Sequence, residues 1–478
     1  MNRVAFATKW SIITEVIVKI ISPITNMILA RLLSPELFGI VASVTLVTTF
    51  VDLFTDSGFQ KYIIQHQFAD NEDYDLSVNV AFWTNLVVSI LMWVLIFIFR
   101  DSLAIFVGCR GYGKAVSVSA VVLIFTAFSS IQMATYKKNF EFKRLSFIRI
   151  IGKLVPLFIT IPLALMNFGY WSLVIGNLFG EIVNAGLLTM LSKWKPKFKY
   201  SFLKLREMFA FCSWALCEAV TAWLVANLGI LLIGQFYDSY YLGIYKGSIT
   251  VVNQILSVIT AVMSSVFLTT LSACQSDENK YKTTVLSFQR TVAMLIVPLG
   301  MGIYVFRELV TNILLGGQWN DASVLVGVWG AISCINIVIA NMNSYVLLSK
   351  GKPQFTFISN AIQCIAIIAI FNLMKHCGFY IMFYGISIVS LQLSFTQTLF
   401  AKKVFALKEK EKVRNIYIYF IASVVMGVIG RIIHKVNDNV VMDIWGVFIC
   451  ILVYLVILML RKRERVYIKN LIIDLIKC

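Results

Sequence analysis

The feature that most restricts this chain is a succession of apolar segments of about twenty residues each, running from near the N-terminus almost to the C-terminus. A bilayer's hydrocarbon is about 30 Å thick, and a helix rising 1.5 Å per residue needs some twenty residues to cross it. The segments fall at about 10–31, 37–63, 76–99, 115–136, 145–166, 170–192, 207–235, 240–272, 284–306, 321–348, 354–374, 378–400, 415–435 and 440–460. They predict about fourteen helices and an all-α polytopic membrane protein. Composition excludes the soluble alternative: 59% of residues are hydrophobic and 14% charged, against about 45–50% and 25% in soluble chains.

An internal repeat organises these helices. A shift of roughly 204 positions places Trp10 on Trp214, Phe38 on Leu242, and Gly39-Ile40 on Gly243-Ile244. A later pair with a similar offset sets Lys143 against Lys352, and Gly169-Tyr170-Trp171 against Gly378-Phe379-Tyr380. The expected organisation is an N-terminal six-helix lobe (1–200), a C-terminal six-helix lobe (201–405), and two extra helices with a basic cytoplasmic tail (406–478). Six helices per half leave both halves in the same orientation, as parallel repeats require, and suggest two lobes facing one another across a pathway. The last two helices have no counterpart and read as an appendage.

Charge gives orientation. Basic residues crowd alternate connections, including Lys137, Lys138, Lys143, Arg144 and Arg149, the run from Lys193 to Arg206, and the tail from Arg461. With both termini inside, cytoplasmic Lys and Arg exceed external ones by more than about threefold. This pattern absorbs most of the net charge of +18, so the partner it implies is an anionic lipid surface and no nucleic acid. No cleavable signal peptide is expected, because the first apolar segment is too long and lacks a cleavage site. The nine cysteines show no metal-ligand spacing and read as small buried hydrophobes. No connection exceeds about fifteen residues and no nucleotide-binding or hydrolase motif is present, so neither a catalytic domain nor a cofactor is expected.

Ionisable residues inside spans carry the functional signal, since each costs about 2.5–3.5 kcal/mol on insertion scales unless it meets water or a partner. Glu15 and Lys19 lie one turn apart in the first helix. Pro23 then removes the amide that would bond the carbonyl of Lys19, which predicts a break beside a buried charge, or a structural Glu15–Lys19 pair beside a kink. Asp52 and Asp56 form another one-turn pair; Asp56 reads equally as a helix end before Gly58, whereas Asp52 could take a proton or Na+. Glu218 matches the neighbourhood of Glu15 under the repeat. Lys246 could meet an anion or snorkel to the interface. Lys153 and Glu181 read as a structural pair in neighbouring helices, and Arg290 as the inner edge of the ninth helix.

A resemblance adds to this reading. Ala30-Arg31-Leu32-Leu33-Ser34-Pro35-Glu36-Leu37-Phe38-Gly39-Ile40, then Leu53-Phe54-Thr55-Asp56-Ser57-Gly58-Phe59 and Ile63-Ile64-Gln65, resemble the N-terminal signature of the polysaccharide transporter family. Phe140-Glu141-Phe142-Lys143-Arg144-Leu145, Gly169-Tyr170-Trp171-Ser172-Leu173-Val174, and the stretch from Leu231-Leu232-Ile233-Gly234 to Leu242-Gly243-Ile244-Tyr245 are similar to its later regions. That family contains the Wzx-type oligosaccharide flippases of the multidrug/oligosaccharidyl-lipid/polysaccharide (MOP, MATE-like) superfamily. The resemblance covers about the first 400 residues. It departs in the acidic stretch Asp70, Glu72, Asp73 and Asp75, where many relatives are basic. It implies a fourteen-helix bacterial inner-membrane protein flipping an undecaprenyl-diphosphate-linked oligosaccharide for O-antigen, capsule or exopolysaccharide, and leaves open a polysaccharide polymerase as a further partner. On that reading Lys19, Arg31 and Lys246 would hold the diphosphate, and Glu15, Asp52 and Glu218 would couple transport to an ion gradient. The alternative is a cation-coupled multidrug or small-molecule exporter of the same superfamily; a membrane enzyme would bring a long outer loop that is missing here.

Overall fold

The computed structural model describes residues 3–56, 58–274, 277–405, 409–436 and 440–477. Within these, side chains are described for Thr14 and from residue 17 onward, except 55–56, 210–211, 214–215, 261–266, 268–269, 272–273, 409, 436, 440 and 470–477. The described residues form helices and turns with no strand. Thirteen helices among them are long and apolar enough to cross a membrane, and they coincide with the second to fourteenth apolar segments. The first segment lies in a further helix of 30 residues. The chain is a multi-pass, all-α membrane protein.

The chain divides into two compact units, Met1–Gly247 and Ser248–Cys478. The first holds α1 (Arg3–Leu32), α2 (Pro35–Asp56), α3 (Phe59–Gln65), α4 (Asn71–Ile98), α5 (Arg100–Phe106), α6 (Gly113–Ser119), α7 (Val122–Lys138), α8 (Phe142–Leu165), α9 (Tyr170–Leu191), α10 (Phe202–Phe236) and the start of α11 (Ser239–Ala273). The second follows with α12 (Glu278–Val305), α13 (Arg307–Leu314), α14 (Ser323–Asn336), α15 (Met342–Ser349), α16 (Pro353–Met374), α17 (Phe379–Val389), α18 (Gln392–Val404), α19 (Glu409–Val436), α20 (Val440–Leu460) and α21 (Lys462–Lys477).

Three local differences from the sequence reading have physical causes. The segment at 37–63 is two helices, because α2 ends at Asp56 and α3 begins after Gly58. A Cβ at Gly58 would lie 2.5 Å from the Cβ of Cys212, so only glycine lets this corner rest against α10. Helix α1 runs unbroken through Pro23. Around the carbonyl that Pro23 frees, the hydroxyls of Ser22 and Thr25 bond the carbonyls of Val18 and Ile21 at 3.0 and 2.9 Å. Such back-bonding bends a helix without ending it. The third difference is the pair of short helices α5 and α13, which open with Arg100-Asp101 and Arg307-Glu308. Seven or eight residues are too few for a span, and the length rule passes over them.

The repeated glycines meet in the first unit. A Cβ at Gly39 on α2 would lie 1.9 Å from the carbonyl oxygen of Ser239, and a Cβ at Gly243 on α11 would lie 1.8 Å from that of Pro35. Each repeat motif thus receives the other's backbone, and small residues are what allow helices in lipid to approach so closely. The same device joins α8 to α9. Side chains at Gly176 and Gly180 would strike Thr160 Oγ1 at 1.8 Å and Pro156 Cγ at 2.6 Å.

The last two spans are part of the second unit's core. Tyr419, Ala422 and Met426 of α19 and Cys450, Tyr454 and Leu458 of α20 are buried with Val292, Ile296 and Ile303 of α12. Their amphipathic continuation α21 is tied down as well. Arg290 of α12, read from the sequence as an edge marker, makes a buried ion pair with Glu464 of α21 at 2.7 Å. Arg290 also donates to Tyr419 Oη at 2.9 Å and to the carbonyl of Arg463 at 3.3 Å, and its guanidinium lies 3.9 Å from the centroid of the Tyr467 ring.

Candidate functional site: a charged cavity in the first unit

Close packing of α8 on α9, with α1 against α8 and α7 against α9, sets polar faces of four helices and the side of a fifth around a cavity of about 220 Å³. Asp52 enters from α2, Thr126 and Ser130 from α7, Arg149 and Lys153 from α8, and Glu181 and Asn184 from α9, while Val18 of α1 closes one side. Thr126 Oγ1 donates to Asp52 Oδ1 at 2.9 Å. Asn184 Nδ2 donates to Glu181 Oε2 at 3.3 Å. Ser130 accepts from Asn85 Nδ2 at 2.9 Å. Arg149 and Lys153 stand one turn apart on one face of α8, and Gly152 between them lets Asn184 approach.

Two carboxylates and two cations therefore line one cavity inside a helical unit. At about 2.5–3.5 kcal/mol each, four bare charges in hydrocarbon would oppose insertion by roughly 10–14 kcal/mol, so a lining of this kind favours hydration over contact with lipid chains. The guanidinium of Arg149 offers a planar fork whose geometry suits phosphate.

Of the six residues that the resemblance assigns to the diphosphate and to ion coupling, Asp52 alone among the described side chains lines this cavity. Lys19 is half-buried on α1, next to Val18 of the lining. The side chain of Glu15 lies outside the described residues. Arg31 is exposed on the last turn of α1. Glu218 is half-exposed on α10 and pairs with Lys61 of α3 at 3.7 Å. Lys246 is half-buried on α11 with no ion-pair partner among the described residues. Lys153 and Glu181 form no ion pair among the described residues and both face the cavity, contrary to the expected structural pair. Sequence reasoning placed Arg149 in a cytoplasmic connection; its only signal there was its place one turn before Lys153.

A second cavity, of about 420 Å³ and apolar, lies in the second unit between α12, α19 and α20. Leu299, Ile303, Phe306, Met426 and Ile451 are among its walls.

Comparisons with known proteins agree with this architecture. Over 348 residues the chain is 23% identical to the succinoglycan biosynthesis transport protein ExoT of Rhizobium meliloti, covering 72% of this chain and 68% of that one. It is 21% identical to the teichuronic acid biosynthesis protein TuaB of Bacillus subtilis, covering 74% and 73%. The lipopolysaccharide biosynthesis protein WzxC of Escherichia coli is 19% identical, with 74% and 72% covered. Among solved structures, the lipid II flippase MurJ in an inward closed conformation superposes with a TM-score of 0.74 at 14% identity, covering 96% of this chain and all of that one. An inward-facing multidrug resistance MATE transporter of the MOP superfamily gives 0.60 at 13% identity, covering 84% and 94%. The fold is thus that of the MOP transporters. A family model described as polysaccharide biosynthesis protein matches residues 28–324, a stretch containing every side chain named around the charged cavity except Val18, and the chain belongs to that family.

Proposed function

We propose that this protein is a flippase that carries a polyprenyl-diphosphate-linked oligosaccharide from the inner to the outer leaflet of a bacterial cell membrane, both termini being cytoplasmic. The observation that carries the reading is the charged cavity of the first unit, in a chain whose family serves polysaccharide biosynthesis. A glycan headgroup is too polar for hydrocarbon and needs a hydrated passage. Its diphosphate needs cations, for which Lys19, Arg31 and Lys246 are the proposed contacts, joined by Arg149 and Lys153. The apolar cavity beside α19 and α20 suits the hydrocarbon of the lipid carrier. Alternating access would be driven by an ion gradient acting on Asp52, with Glu15 and Glu218 as further acids that change charge.

The reading is tested by complementation of a strain lacking its own flippase, with surface glycan as the readout. Lys19→Ala and Arg149→Ala are expected to abolish complementation while the protein still accumulates in the membrane; normal glycan in both variants would refute the assigned roles. A second reading, a cation-coupled multidrug exporter, is favoured by the likeness to the MATE transporter. It expects raised drug resistance from overproduction and no glycan phenotype from deletion.

A further inference from the structure

We propose that the segment joining α9 to α10, together with the first turn of α10, is a strap that docks into an anionic lipid surface. The proposal does not rest on the transport reading. The strap is held to α4 at several points. Trp194 Nε1 donates to Asp75 Oδ1 at 3.1 Å, and Lys197 Nζ lies 3.2 Å from Asp75 Oδ2. The amide of Lys197 donates to Asn79 Oδ1 at 2.6 Å, and Trp83 Nε1 donates to the carbonyl of Lys197 at 2.8 Å. Lys204 closes the clasp on Asp73 at 2.6 Å.

These anchors set a depth. Helix α4 has 28 residues, about 42 Å, whereas hydrocarbon needs about twenty residues. Twenty residues counted back from Ile98 reach Asn79, which leaves Asp73 and Asp75 in the headgroup layer and Trp83 about 6 Å inside the acyl boundary. Phe198 stacks on Trp83 with ring centroids 4.6 Å apart. Phe198 at this level, and Phe202 and Leu203 on the adjoining first turn of α10, are 93%, 79% and 71% exposed in the protein alone, and lipid is the partner that the proposal assigns to them.

The charges point to the same partner. Of the cations along the strap, Lys193 pairs with Glu141, Lys197 with Asp75, and Lys204 with Asp73 and Glu207, while Lys195 bonds the carbonyls of Thr189 and Met190. Lys199 and Arg206 are exposed and have no ion-pair partner among the described residues. They interleave with the exposed aromatics, as residues do where rings enter the acyl boundary and cations hold phosphates.

The test is hydrogen exchange of the backbone amides of 198–205 in the full chain, in nanodiscs of phosphatidylcholine alone or mixed equally with phosphatidylglycerol. Exchange is expected to be about ten- to thirty-fold slower in the anionic discs. Lys199→Gln/Arg206→Gln should erase the difference between lipids, and Phe198→Ser/Phe202→Ser should speed exchange in both, with α7 and α9 unchanged in each variant. Equal exchange of the native chain in the two lipids overturns the proposal. So does protection that appears only when other membrane proteins are added.

Discussion

The reciprocal approach of Gly39 and Gly243 makes a sharp prediction about packing. Alanine at position 39 would put a methyl group 1.9 Å from the carbonyl oxygen of Ser239, and alanine at 243 would put one 1.8 Å from that of Pro35; real Cβ atoms do not come under 3.0 Å. Both obstacles are backbone, so no side chain can swing aside, and α2 and α11 must separate by more than about 1 Å. Overpacking of this kind costs about 1–3 kcal/mol. It should lower the unfolding temperature in detergent by about 2–4 °C per kcal/mol. Since either methyl group alone forces the helices apart, Gly39→Ala/Gly243→Ala should cost little more than the worse single variant, a coupling of about 1 kcal/mol or more. Gly186→Ala and Gly302→Ala are the controls. Nothing lies within 4 Å of a Cβ at either position, so both should be neutral or stabilising by up to about 1 kcal/mol. Costs at 39 and 243 that add within about 0.5 kcal/mol would mean two independent contacts and would refute the reciprocal crossing.

Three further outcomes are expected. Arg290→Ala should destabilise the second unit by about 3–5 kcal/mol by stranding Glu464, whereas Arg290→Met/Glu464→Met should recover most of the loss, as read from denaturant unfolding. Asp52→Asn should retain the bond from Thr126 and the fold but abolish any pH dependence of glycan export in complemented cells; unchanged pH dependence would remove Asp52 from coupling. The hydrogen bond to Asp73, with help from Glu207, raises the Lys204 pKa above the ordinary lysine range. A raised pKa stabilises fully below the unfolded value and fades as pH climbs through the folded one. Lys204→Met should therefore lower the melting temperature by a constant amount at neutral pH, and by less only in strongly alkaline buffer.

Much of the fold was legible because the bilayer imposes one length on every crossing. Thirteen spans fall where the apolar runs fall, and the repeat offset leads directly to the Gly39–Gly243 approach. What length does not encode was missed. The corner at Gly58 is set by Cys212, a partner over 150 residues away. The acidic stretch that departs from the family pattern is explained by structure: Asp70 accepts from the amide of Asp73 to cap α4, while Asp73 and Asp75 hold the basic strap before α10. Those acids serve a clasp, and their partners are distant in sequence.

The charged cavity shows where a one-dimensional reading stops. Arg290 with Glu464, and Lys153 with Glu181, leave the same trace in a sequence: one base and one acid in or beside apolar segments. Geometry separates them. Around Arg290 the guanidinium meets a carboxylate, a tyrosine hydroxyl, a carbonyl and an aromatic face; a fully occupied group of this kind holds helices together. Glu181 receives an amide from Asn184, Lys153 has no carboxylate within ion-pair distance among the described residues, and both face an open volume with Asp52 and Arg149. A base and an acid placed as Lys153 and Glu181 are do not tie two helices together, and the volume they border stays open. Which of the two a base and an acid become depends on how closely the helices approach. In the first unit that approach is governed by Gly152, Gly176 and Gly180, residues that carry no charge at all.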